Sequence, residues 1–109
     1  MIITLKRRTP KPRDLSYGQL YRVIGVEAGD YRILDDSGKP YLYPCRIFKV
    51  VDAREPEEWV DERGDDGERY AYPQPLNAPG FFEDFFDGKK SAVATFWRVL
   101  NEQLAGVGI

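Results

Sequence analysis

The chain has no histidine and only one cysteine, Cys45. Without histidine there is no Ser-His-Asp or Cys-His catalysis, no histidine-containing zinc motif and no customary general base near neutral pH. A lone cysteine excludes an internal disulfide, a thiolate zinc cluster and a Cys-x-x-Cys redox pair. Neither Gly-x-Gly-x-x-Gly nor Gly-x-x-x-x-Gly-Lys occurs, so a glycine-rich phosphate loop is missing as well. No apolar run is long enough to span a bilayer. The opening MIITLKRRTPKPR puts its charges after its apolar residues, which is not a secretory pattern. The expectation from these absences is a cytoplasmic, non-catalytic protein without cofactor or metal.

Carboxylates are the remaining catalytic raw material. Asp35 and Asp36 fall in Asp35-Asp36-Ser37-Gly38, where aspartate serves local backbone hydrogen bonds and Gly38 supplies positive φ. Asp61, Asp65, Asp66 and Glu68 do not match a calcium loop, because Arg63 stands where a ligand is needed. Cys45 follows Pro44 at the end of a strand-like run and reads as a packed thiol.

The 109 residues fit one domain with a single core. The net charge of −2 conceals two opposed segments. Residues 1–13 carry Lys6, Arg7, Arg8, Lys11 and Arg13 and no acid. Residues 52–69 carry nine carboxylates against three arginines, a local charge of −6. Such polarity bears on partners rather than on fold.

The stretch Asp30 to Asp52 organises the rest. It packs three strand-like runs into a short span, the last two divided by Pro44 and a 3-10-like link at Cys45-Arg46, so the sheet must bend. Tyr31 and Ile33 lie on one face, Arg32 and Leu34 on the other. Upstream, Leu20, Val23 and Val26 do not share a parity, which predicts a bulge near Ile24-Gly25. Downstream, residues 53–80 read as an acidic, proline-containing connection, with Pro56 opening a single helical turn and Trp59 pinning the loop back. Phe81 to Phe86 reads as a short helix with Phe82, Phe85 and Phe86 inward, stopped at Asp87-Gly88. Ser91 to Leu104 repeats Val93, Phe96, Trp97, Leu100 and Leu104 at helical spacing, giving one buried face that seals an open side of the sheet.

The runs Leu20-Tyr21-Arg22-Val23, Tyr31 to Asp36, Tyr41-Leu42-Tyr43-Pro44 and Phe48 to Asp52 resemble the SH3-like barrels of small bacterial proteins. Some of those are cytosolic immunity proteins that neutralise polymorphic toxins. The resemblance spans about residues 15–52. It implies a mainly β fold with α: an SH3-like β-barrel over about 2–52, then helices over 81–104 packed on it, in one domain over 1–109.

The expected function is that of a protein-binding module, an immunity or inhibitor protein whose partner is a toxin with a basic surface. Trp59, Asp61, Glu62, Asp65, Asp66, Glu68 and Tyr70 are the expected partner-binding residues, with the aromatics as anchors and the acids setting the association rate. The alternative is a nucleic-acid-binding barrel that uses the basic arm and a stacking surface of Tyr21, Tyr41 and Tyr43. The acidic balance of the chain speaks against it, and no membrane contact is expected.

Overall fold

The structure, a computed structural model, describes residues 1–107. Seven strands precede two helices: β1 (Ile2–Leu5), β2 (Tyr21–Glu27), β3 (Asp30–Leu34), β4 (Pro40–Pro44), β5 (Phe48–Asp52), β6 (Trp59–Arg63), β7 (Arg69–Pro73), α1 (Phe81–Phe86) and α2 (Lys90–Val107). All pairings are antiparallel, in the order β4-β3-β2-β1-β5, with β7 joining β2 to β6. The architecture is mainly β with α, as the sequence implies, but the sheet stays open. Strands β4, β5 and β6 each pair along one edge only. The sheet nevertheless curls. Two strands, β2 and β1, separate β3 from β5 in the order, yet the Tyr31 and Phe48 rings lie 6.1 Å from each other.

Local chemistry explains the expected parts. Gly38 closes the β3–β4 turn with φ of 79°, and a 3-10 turn over Cys45–Ile47 redirects the chain from β4 into β5. In β2 the register shifts between Val23 and Gly25, where the bulge was expected. The shift sends Val23 and Val26 into one core and Ile24 into another.

There are therefore two cores, one on each face of the sheet. The inner one gathers Ile3, Leu5, Val23, Ile33, Phe48 and Trp59. The outer one joins Ile24, Tyr72 and Leu76 to Phe81 of α1 and to Ala92, Phe96, Val99 and Leu100 of α2. The helices thus cover the opposite face of the sheet and do not seal an open side. Period-2 alternation makes this inevitable, because Ile24, Leu34 and Tyr72 need a second apolar partner.

Residues 53–80 are not a simple connection. They hold the β6–β7 hairpin, the 3-10 turn Gln74–Leu76 and a turn in which the Trp59 amide donates to the Pro56 carbonyl. The hairpin is hard to see in sequence because β6 buries only Trp59, leaving four solvent-facing residues without an apolar alternation. The short helix and its stop at Gly88, with φ of 77°, are as expected. The helical faces are not. Phe81 is the buried residue of α1, while Phe82 and Phe85 pack against the outer core and Phe86 is exposed. On α2 the buried line runs through Ala92, Phe96, Val99 and Leu100, leaving Val93 half-buried and Trp97 and Leu104 exposed. Small Ala92 allows close approach to the sheet, and bulky Trp97 then falls at the margin, edge-on to Phe96. Among the described residues no helix is long and apolar enough to cross a membrane.

Candidate partner-binding surface

The β6–β7 hairpin turns through Gly64-Asp65-Asp66-Gly67, closed by the Gly64 amide donating to the Glu68 carbonyl and the Gly67 amide donating to the Gly64 carbonyl. Cross-strand register sets its chemistry. Asp61 faces Ala71 and Glu62 faces Tyr70, so the hairpin has an inner side with Trp59, Asp61 and Ala71 and an outer side with Val60, Glu62, Tyr70 and Tyr72.

This register divides the expected binding residues. Trp59 is only 8% exposed and belongs to the inner core. It pins the hairpin, as the sequence suggests, and is not a docking anchor. Its Nε1 has no acceptor among the described residues. Asp61 accepts from Nε of Arg69, whose other two nitrogens make a bidentate pair with Glu55 at 2.6 and 2.7 Å. Arg69 holds both carboxyls below their usual range, chiefly through these hydrogen bonds. Glu68 folds back to accept from the Asp66 amide at 3.0 Å. Asp65 and Asp66 stay exposed at the tip, and Glu62 and Tyr70 come together on the outer side.

Behind Glu62 and Tyr70 lies a cavity of about 310 Å³ that also takes in Glu27, Arg32, Tyr72 and residues of the α1 entry, Phe81, Phe82 and Glu83 among them. Arg32 is its structural centre. The guanidinium donates to the Tyr72 hydroxyl at 2.7 Å, to the Pro40 carbonyl at 2.7 Å and to Glu27 at 2.5 Å. Its Cζ sits 3.7 Å from the centroid of the Phe82 ring. The Tyr72 hydroxyl donates to the same Glu27 oxygen at 2.6 Å, and burial pushes the phenol above its usual range. With Arg32 paired to Glu27, Glu62 and Glu83 are the lining carboxylates without an ion-pair partner among the described residues. Period-2 alternation places Arg32 on the face opposite Tyr31 and Ile33, but nothing local in the sequence gives it a role. Its partners Tyr72 and Phe82 lie 40 and 50 positions away, beyond the reach of any local pattern.

The remaining polar candidates serve the frame. Asp35 accepts from the Ser37 amide, the Ser37 hydroxyl and the Tyr43 hydroxyl, and Asp36 accepts from Ser16 Oγ and the Tyr21 hydroxyl. Both are turn carboxylates, as expected. Tyr21, Tyr41 and Tyr43 form no shared stacking surface: Tyr21 is buried, Tyr43 is tied to Asp35 and Tyr41 stacks on Phe86 at 5.0 Å. Burial pushes the Cys45 thiol up, away from the thiolate needed for nucleophilic or redox work. Among the described residues no group of three His, Cys, Asp or Glu side chains is arranged to hold a metal ion. Comparison with known proteins gives no match to a family model, to a curated protein or to a solved structure.

Proposed function

We propose that this protein is a non-catalytic binding module that docks on a basic protein partner through the outer side and tip of the β6–β7 hairpin. The partner is a toxin that the module neutralises, in keeping with the resemblance of residues 15–52 to SH3-like immunity proteins, and the encounter takes place in the cytoplasm. One observation carries the reading. Glu57, Glu58, Glu62, Asp65 and Asp66 are exposed on or beside this hairpin and none is in an ion pair among the described residues. Clustered like charges repel, and a basic partner relieves that repulsion while the field speeds encounter. With Trp59 in the core, Tyr70 beside Glu62 is the aromatic left for contact, in place of the pair expected from sequence.

The test starts with capture of a basic protein from the native cell on the immobilised chain, followed by association rates at low and moderate salt. The triple variant Glu62→Lys, Asp65→Lys, Asp66→Lys should slow association by roughly tenfold or more and flatten its salt dependence. Equal rates and equal salt slopes for variant and wild type would remove the hairpin from the interface.

A further inference from the structure

A second recess lies at the other end of the sheet, and its chemistry is the reverse of the hairpin's. The Lys6 amide donates to the Ile47 carbonyl at 3.0 Å, and Leu5 pairs with Phe48 in the β1–β5 ladder. These two constraints lay the basic N-terminal arm across the 3-10 turn at Cys45–Ile47. Arg46, distant in sequence, is thereby brought among the cations of the arm. The resulting recess measures about 400 Å³, within the size range of small-ligand sites. Lys6, Arg7, Lys11 and Arg46 line it, with Leu5 and Ile47 as apolar residues. No carboxylate lines it, and none of the four cations has an ion-pair partner among the described residues.

The arm has a set shape. The Thr9 hydroxyl donates to the Lys11 carbonyl at 2.8 Å and accepts from the Lys11 amide, which closes the loop over the recess. Arg8 is turned elsewhere, 4.9 Å from the centroid of the Tyr17 ring. Four cations without an ion-pair partner among the described residues line one concavity of a chain whose net charge is −2. A bound anion relieves their mutual repulsion. A single carboxylate would leave most of the charge unmatched, whereas adjacent phosphates supply two or more negative charges with many acceptor oxygens. Arg7 and Arg46 suit those oxygens bidentately, and Lys6 and Lys11 act as point charges.

We propose that this recess binds a ligand carrying adjacent phosphate groups, either a free oligophosphate or successive phosphates of a single-stranded nucleic acid. No aromatic ring among the described residues lines it, so recognition is of the phosphate chain and not of bases. The site is separate from the hairpin surface and independent of the toxin reading.

The test is titration of the full chain with tripolyphosphate and, separately, with a short single-stranded thymidine oligonucleotide. The double variant Lys6→Gln, Arg46→Gln should weaken binding roughly tenfold. For the oligonucleotide, the slope of log affinity against log salt should fall by about 1.4, two contacts' worth for a single strand. Lys89→Gln with Lys90→Gln removes the same charge at the start of α2 and should leave affinity unchanged. Amide resonances of Lys6, Arg7, Arg8, Thr9, Lys11 and residues 45–48 in the wild-type protein should shift on adding tripolyphosphate, a readout that does not depend on the variants folding. Binding of both probes assigns the site to phosphate chains in general, and binding of the oligonucleotide alone assigns it to nucleic acid. The proposal is overturned by no binding of either probe, by an equal loss in the Lys89, Lys90 control, or by shifts elsewhere with none in the recess.

Discussion

Arg32 is the residue on which the outer face of the sheet depends. Its side chain is 8% exposed and every nitrogen of the guanidinium has an acceptor. Removing it leaves Glu27 without its cation and takes a donor from the buried Tyr72 hydroxyl. Breaking a fully buried pair from one side costs about 3–5 kcal/mol, and with the Glu27 side chain 30% exposed the cost here is about 2–3 kcal/mol. Arg32→Ala should therefore lower unfolding free energy by that amount in urea denaturation, and a loss under about 1 kcal/mol would show the network to be dispensable. The two tryptophans differ in the same currency. Trp59→Ala opens the inner core and should cost about 3–5 kcal/mol. Trp97, 38% exposed at the margin of α2, should cost only about 1–2 kcal/mol when replaced by alanine, since its cavity opens to solvent. Equal losses in thermal or urea melts would contradict the placement of the two rings. From sequence alone the order is reversed, because Trp97 sits at perfect helical spacing while Trp59 stands in an acidic stretch. Spacing identifies an amphipathic helix, but not which rotation of its apolar stripe meets the sheet.

At the scale of elements, the β6–β7 hairpin is held by its own charges. Arg69 joins Glu55, ahead of β6, to Asp61 within it. Elsewhere, the β3–β4 turn depends on Asp35. Burial alone would raise its carboxyl, but hydrogen bonds from Ser37, Tyr43 and the Lys39 amide outweigh that and hold it below its usual range. Glu55, Asp61 and Asp35 all have depressed folded-state values, so their contribution is complete above the unfolded carboxylate range of about 4 and is lost as pH falls through the folded values. The urea midpoint should stay level from neutral pH to about pH 5 and drop below about pH 4. Asp35→Asn should make the acid limb shallower, and an unchanged limb would show that Asp35 carries none of it. The turn at 35–38 was legible because aspartate and glycine announce it locally. The hairpin was not, because four of the five residues in β6 are exposed and charge runs resemble solvated loops. The pairing is visible only when β2 offers an edge for β7.

For the whole molecule, charge follows the axis of β2. Strand β1 pairs with its start, Tyr21 and Arg22, and continues from there into the basic arm. Strand β7 pairs with its end, Val26 and Glu27, and the acidic tip extends beyond. Seven residues at about 3.3 Å each set the two poles roughly 20 Å apart. The sequence disclosed both charged segments and their signs. It could not disclose that one strand separates them, nor that Arg46 joins the basic pole, since both follow from pairing between distant residues.

The bulge in β2 carries a further consequence, one of time rather than of shape. Ile24 is the residue of β2 that enters the outer core, while Val23 and Val26 stay in the inner one. Gly25 beside it is the place where a strand with a side chain could not lie, because a methyl group there would overlap the Tyr72 ring and approach the Ala71 carbonyl oxygen to 2.8 Å. Loss of the helices exposes one face of β2 while its ladders with β1, β3 and β7 persist. Amide exchange should accordingly proceed in two stages: α1 and α2 trade their hydrogens through a partial opening, and β2 trades its own only when the whole chain unfolds. Gly25→Ala should hasten the first stage more than the second. Identical protection for α2 and β2, moving together in the variant, would mean that the two layers melt as one.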